Sequence, residues 1–450
     1  MEKAIQQYID LYKSQRELIE SHSAPVLNAM RAEALALVES IGLPSRKDER
    51  YNHTDIEALY APDYGLNLNR ISLTTKIHEG FRCDVPNLTT QLYFLVGDCF
   101  YTSDNIRPLP EGVIAGSLCE IARQHPDLVS RYYGRIANMT KDGTVALNTL
   151  LAQDGFILYI PSHTVLERPI QLINLVGGNV PTMNNRRILI VAEEGAQAKI
   201  LVCDHSEETG LNHLITQVTE IWAGKDSAID YYNLEENLPE TRRVTSTFVH
   251  QEEESNVLVN GITLRNGITR DNYHILLDGP HAETQLCGMA KADGDEQVDI
   301  STFIDHTAPH CHSNELFKFV LNDQSQGAFA GRILVRPGAQ KTEAYQSNKN
   351  LCASEEAHIY TKPQLEIYAD DVKCSHGATV GQLDQQALFY MRTRGISEAE
   401  ARMLLMFAFM SDVTDLVRLD ALKERLKQLV ERRFRGELSR CKQCNIHIKP

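Results

Sequence analysis

From Gln91 to Tyr368 the chain repeats one short pattern: an apolar, β-branched run, then a corner rich in Gly, Asp, Asn and Pro. The runs are QLYFLVG, GFILYIP, RRILIVA, AKILVC, HLITQVTEIW, SNVLVNGITL, YHILLDG and GRILVRP. The corners recur as well. A polar or Gly-containing corner leads into a small or β-branched residue at 195–198, 225–228, 254–257, 326–328 and 355–357. Ala198 to Ala228 spans 30 residues, Ala228 to Val257 spans 29, and Ala328 to Ala357 spans 29. A fixed recurrence of this kind is how one coil stacks on the next in a solenoid. It favours a β-helix over the alternative, a large antiparallel sandwich. No convincing amphipathic helix is visible in the span, which argues against a βαβ fold.

Helical patterns flank this region. Ile5, Tyr8, Ile9 and Tyr12 share one stripe, and Ala34, Leu35, Leu37 and Val38 form a second apolar segment that Gly42 and Pro44 end. On the other side, Asp384 caps a predicted helix that runs to about Arg394 and stops at Gly395. Ser397 and Glu400 make a capping box ahead of ARMLLMFAFM. The stretch Met403 to Met410 is apolar nearly all round and is expected to be buried, in this chain or against a partner. Leu416, Leu419, Leu422, Leu426 and Leu429 then form a stripe, and Gly436 is expected to end that helix. The expected division is 1–90 helical, 91–380 β-helix, 381–436 helical and 437–450 a loose tail.

The formal net charge of -15 argues against nucleic acid as a partner, since phosphate binding needs a basic surface. The opening MEKAIQQYIDLYKSQ lacks the apolar core of a signal peptide, and the longest apolar helical run is too short to cross a bilayer. Ten scattered cysteines, mostly in apolar runs, suit reduced thiols in a cytoplasmic protein. No phosphate-binding loop is present: Gly224-Lys225 is followed by Asp226, which would repel phosphate. No G-x-S-x-G elbow is present either. Nucleotide binding is thereby excluded, and if ATP drives this protein, another subunit hydrolyses it.

The densest chemistry lies in LEIYADDVKCSHGATVGQLD. Leu365, Ile367 and Ala369 alternate with polar residues as in a strand. Cys374 and His376 are two residues apart, so an extended backbone sends both side chains from one face. Thiol and imidazole together hold a soft or borderline metal; taken alone, the pair also reads as a half-buried thiol beside a surface histidine. Gly377 is expected to turn the chain. DHTAPHCHSNELFKF gathers Asp305, His306, His310, Cys311 and His312, a metal-site candidate whose default is a turn with backbone-bonded histidines. Pro309 opposes a helical pairing of His306 with His310. Cys441 and Cys444, with His447, are half of a zinc spacing.

The run LEIYADDVKCSHGATVGQLD, followed by LFYMRTRGIS, resembles the C-terminal signature of the SufB/SufD family of iron–sulfur cluster assembly proteins, and is most like its SufD members. PSRKDERYNHTDI resembles the family's short N-terminal motif, with Tyr51 where Trp is frequent; its residues read as a loop packed on the body. Cys352 lacks the flanking residues of the cluster cysteine in SufB members and reads as a core thiol. The resemblance implies a mainly β chain with a right-handed parallel β-helix between N-terminal and C-terminal helices. It implies a SufD-type scaffold that pairs with a SufB-type subunit through the β-helix. It also implies a SufC-type ABC ATPase docked on the C-terminal helices, with Met403, Met406, Phe407 and Phe409 as anchors. His376 matches the interface histidine that ligates a transient iron–sulfur cluster or iron, with Cys374 beside it. Reduced flavin in the complex and a homodimer of the isolated chain stay open. The alternatives are a SufB-type scaffold subunit and a β-helix carbohydrate-active enzyme.

Overall fold

The computed structural model describes residues 3–71, 90–102 and 107–434. The N-terminal helices are α1 (Lys3–Ser21), α2 (Pro25–Asn28), α3 (Arg31–Ile41) and α4 (Ile56–Tyr60). The predicted stripe is real: Ile5, Tyr8, Ile9 and Tyr12 are all buried, as are Ala34 and Val38 of α3. Gly42, at φ 65, ends α3 in the left-handed conformation that glycine adopts without cost. The segment after it packs on the body, as its sequence suggested. The Tyr51 hydroxyl donates to Asp142 at 2.5 Å, and the Arg270 guanidinium lies 4.3 Å from the Tyr51 ring centre.

One expectation is corrected here. The span read as free of helices holds three: α5 (Leu118–Gln124), α6 (Pro126–Tyr132) and α7 (Gly143–Leu151). Every residue of α7 is buried. A helix enclosed on all sides has no polar face, so it leaves no amphipathic period to detect.

The strands are β1 (Gln91–Val96), β2 (Cys99–Thr102), β3 (Ile114–Ser117), β4 (Phe156–Ile160), β5 (Ile170–Val176), β6 (Met183–Ala192) and β7 (Gln197–Ser206). Next come β8 (His213–Ala223), β9 (Ala228–Glu236), β10 (Thr241–Gln251), β11 (Asn256–Arg265), β12 (Ile268–Leu277) and β13 (Glu283–Ala292). The series ends with β14 (Gln297–His306), β15 (His312–Leu321), β16 (Gln326–Val335), β17 (Glu343–Cys352), β18 (His358–Ile367) and β19 (Lys373–Gly381). From β4 onward, successive strands alternate between two sheets. One runs β19-β17-β15-β13-β11-β9-β7-β5-β1-β2, the other β18-β16-β14-β12-β10-β8-β6-β4-β3. All pairings are parallel except β1 with β2 and β3 with β4. This is a parallel β-solenoid. Its first end is closed by two short antiparallel strands; its last end is β18 and β19.

The recurrent corners now have a cause. At successive coils one residue sits at positive φ: Gly195 at 66, Asp226 at 53, Glu254 at 57, His281 at 62 and His310 at 61. Each donates its N–H to a carbonyl of the following coil, for example Asp226 to Glu253 at 2.9 Å and His310 to Gln340 at 2.8 Å. The left-handed backbone disfavours a side-chain-bearing residue by about 1–2 kcal/mol, and these bonds hold the corner in it. Ala228 pairs with Gln197 below and Asn256 above, so the marks Ala198 and Val257 each lie one residue from true register.

Inward residues stack into an apolar core that includes Ile200, Tyr231, Val259, Leu286, Phe317, Phe329 and Ile333. The outer face of the β18 sheet carries the N-terminal helices, through Met183, Leu214, Val244 and Phe248. The outer face of the β19 sheet carries α9 (Glu398–Asp415) and α10 (Asp420–Phe434), through Leu201, Tyr232, Leu258 and Met289. Among the described residues no helix is long and apolar enough to cross a membrane.

Between the sheets lies a fully buried ionic cluster. Arg243 reaches Asp271 at 2.7 Å and Glu235 and Asp204 at 3.4 Å each, and Arg186 reaches Asp204 at 2.6 Å. Thr245, Thr263 and Thr269 donate to the carboxylates. An anion left here without its cation is costly. Arg243→Met is therefore expected to lower the free energy of unfolding by about 3–5 kcal/mol in urea denaturation.

The open end as candidate functional site

Among the described residues the last coil has no coil above it. Its two strands are edge strands, with one side of each backbone free to pair. No residue of β19 is buried, whereas β15 two coils earlier is mostly buried. Six of the eleven exposed large apolar side chains among the described residues gather here: Tyr360, Ile367, Tyr368 at 63% exposure and Val380, then Phe389 at 69% and Tyr390 on α8 (Gln385–Thr393). An edge of this length, rimmed with aromatics, leaves both backbone groups and apolar side chains uncovered among the described residues.

Cys374 and His376 lie on β19, extended as the sequence implied, so both leave the same face. That face looks into the end of the solenoid. Cys374 packs on the apolar core, and burial raises its thiol pKa. His376 is exposed at the rim. Gly377 does not turn the chain; it continues β19 opposite Ser347, and the turn waits for the residues after Gly381. Asp384 caps α8 by accepting from the N–H groups of Gln386 and Ala387, and Gly395 follows at φ 86, as expected.

Under His376 runs a polar column. His376 pairs with Gln346, and Gln346 with Glu315. The Gln346 amide Nε2 donates to Glu315 Oε2 at 2.7 Å, and Thr302 of the facing sheet donates to Glu315 Oε1 at 2.6 Å. Burial pushes the Glu315 carboxyl up to about 7, opposed by those two hydrogen bonds. Sequence reading missed this column. EAYQSNKNLC is polar on both faces, so its inward residues look no different from its outward ones.

The other sequence candidates are placed apart. His306 ends β14 facing inward, with Nε2 2.8 Å from Ser313 Oγ, and burial lowers its pKa to about 4. His310 sits on the outer corner, stacked on His281 with ring centres 4.8 Å apart. His312 opens β15 and lies 5.9 Å from the Tyr345 ring. Asp305 is held by Arg336, and Cys311 is buried. Among the described residues no three His, Cys, Asp or Glu side chains converge on a metal position. Cys441, Cys444 and His447 lie outside the described residues. Met403 is buried by α9 packing, while Met406, Phe407 and Phe409 are half-buried along the same helix. Within this chain the stretch Met403 to Met410 is buried on its inner side, while Leu404 and Ala408 face outward. Phe389 and Tyr390, more exposed than any of the four named residues, went unremarked because a short polar helix gives no sign of which way its aromatics point.

Comparison with known proteins decides the family. The SUF system FeS cluster assembly SufBD core domain matches residues 174–409, and the SufBD protein N-terminal region matches residues 2–172. The chain belongs to the SufBD family. It is thus an iron–sulfur cluster assembly protein of scaffold type. A SufBD family protein of Synechocystis is 30% identical over 418 residues, covering 90% of each chain. SufD of Escherichia coli is 27% identical over 409 residues, covering 88% of this chain and 90% of that one. SufD of Bacillus subtilis is 26% identical over 339 residues, covering 72% and 75%. Membership of this family sets the carbohydrate-active alternative aside.

The Glu315 shift has a consequence for stability. The folded chain holds this proton to about 7, above the ordinary value of 4.5, so between those values it binds more protons than the unfolded chain. Stability therefore falls as pH rises through that window. Glu315→Gln removes the titration. Its unfolding free energy relative to wild type is expected to rise between about pH 5 and about pH 8, by roughly 3 kcal/mol. Denaturation curves at both pH values check this.

Proposed function

We propose that this SufBD protein is a SufD-type scaffold subunit. Its open end pairs with a SufB-type subunit, and an iron–sulfur cluster is assembled at the seam as cargo. The observation that carries the reading is an exposed imidazole on an unpaired, aromatic-rimmed edge strand. Strand addition supplies the pairing: each free N–H and C=O of β19 and β18 gains a partner when a second edge aligns with it. Burial of Tyr360, Ile367, Tyr368 and Val380 adds the apolar contribution. The relatives named SufD in two bacteria support the SufD assignment.

His376 then stands as the ligand this chain offers. Imidazole suits iron, and the Cys374 thiol, once deprotonated, suits iron and sulfide. A site divided between two subunits releases its cargo when they separate. The force for that separation comes from a SufC-type ATPase on the C-terminal helices. Helix-in-groove docking fits their surface, with Phe389, Tyr390 and Leu404 exposed and Met406, Phe407 and Phe409 half-buried beside them. Met403 supports this surface from beneath.

His376→Ala is expected to leave the complex with both partners intact by size-exclusion chromatography with light scattering. Cluster transfer to an apo-acceptor should fall to background. Normal transfer by this variant would remove His376 from the site.

A further inference from the structure

Gln346 is 3% exposed, and its amide is half used. The Nε2 group is fixed by Glu315, but the carbonyl Oε1 is buried with no donor. A buried acceptor of this kind is normally satisfied. The amide cannot swing elsewhere, because it fills a niche in the facing sheet. A Cβ at Gly331 would fall 2.4 Å from Gln346 Nε2. The donor must therefore come from the open side, where β19 is the next strand. Its inward residues are Cys374, His376, Ala378 and Val380, of which His376 pairs with Gln346. His376 is also the only one of the four with a strong N–H donor. Its ring is exposed, so turning it onto Gln346 disturbs no packing.

We infer that Gln346 is the positioning residue for His376: its carbonyl accepts the inward imidazole N–H, which leaves the other ring nitrogen unprotonated and facing the seam. This rests on the reading of His376 as the seam ligand. An imidazole ligates through a neutral nitrogen, and which nitrogen that is depends on the hydrogen bond made by the other. Glu315 and Thr302 act one step further back. They hold the amide so that its oxygen, and not its NH2, faces His376.

The test uses the full-length chain labelled with 15N-histidine, the His376 signals being those lost in His376→Ala. In wild type the neutral ring is expected to be a single tautomer. In Gln346→Leu, which keeps the volume and removes the acceptor, the two ring nitrogens should average between tautomers. In Gln346→Glu, which keeps an acceptor, the single tautomer should return. Ferrous iron bound at the His376-dependent site of the complex should weaken by about 10–100-fold in Gln346→Leu and recover in Gln346→Glu. A wild-type ring that already averages between tautomers would overturn the inference without any variant, as would a Gln346→Leu ring as fixed as wild type. The two readings fail separately. Normal cluster transfer by His376→Ala removes the ligand role while the tautomer data still judge the hydrogen bond.

Discussion

Everything in this molecule depends on backbone pairing between coils. A single coil of two strands and two corners buries little apolar surface and leaves the N–H and C=O groups of its strands without ladder partners, because its two strands lie in different sheets. Stacking solves both problems at once, because each strand pairs above and below while its inward side chains meet those of the adjoining coils. The corners follow the same rule. Residues such as Asp226 and Glu254 are held at positive φ by a hydrogen bond to the neighbouring coil, so a coil's shape is completed by the coil beside it.

The interior changes character along its length. An apolar core runs its whole length, and set into it are Arg186, Arg243 and their carboxylates in the middle and Thr302, Glu315 and Gln346 toward the last end. Polar residues inside a β-solenoid destabilise it unless each finds a partner, and here most do. Gln346 Oε1 and Asn350 Oδ1 lie unpaired beneath the last strand, where the fold has stopped supplying neighbours.

Much of this could be read from the residues. The corner spacing leaned towards the solenoid, because backbone geometry forces the corner to recur, and the family resemblance carried most of that expectation. The caps at Asp384 and Ser397 were visible because a short oxygen-bearing side chain before a helix has few other uses. The common face of Cys374 and His376 followed from strand geometry alone. The failures are equally physical. Helix α7 was hidden by being buried on every side. Gly377 looked like a turn but lies in an exposed strand, where its missing side chain meets nothing within 4 Å. His306, His310 and His312 are adjacent in sequence yet scattered, because one ends a strand facing in, one sits on a corner and one begins a strand facing out. Gln346 and Glu315 belong together only across a full coil, a distance at which sequence gives no sign of contact.

The two ends of the rod are unlike. At the first, β2 and β3 are four residues long and run against their neighbours, so they offer little to copy. At the last, ten and nine residues lie open in the direction of the stack. A body with one adhesive end and one blunt end cannot grow into a fibre. In the pairing proposed above two such ends meet tip against tip, which leaves no open edge for a third.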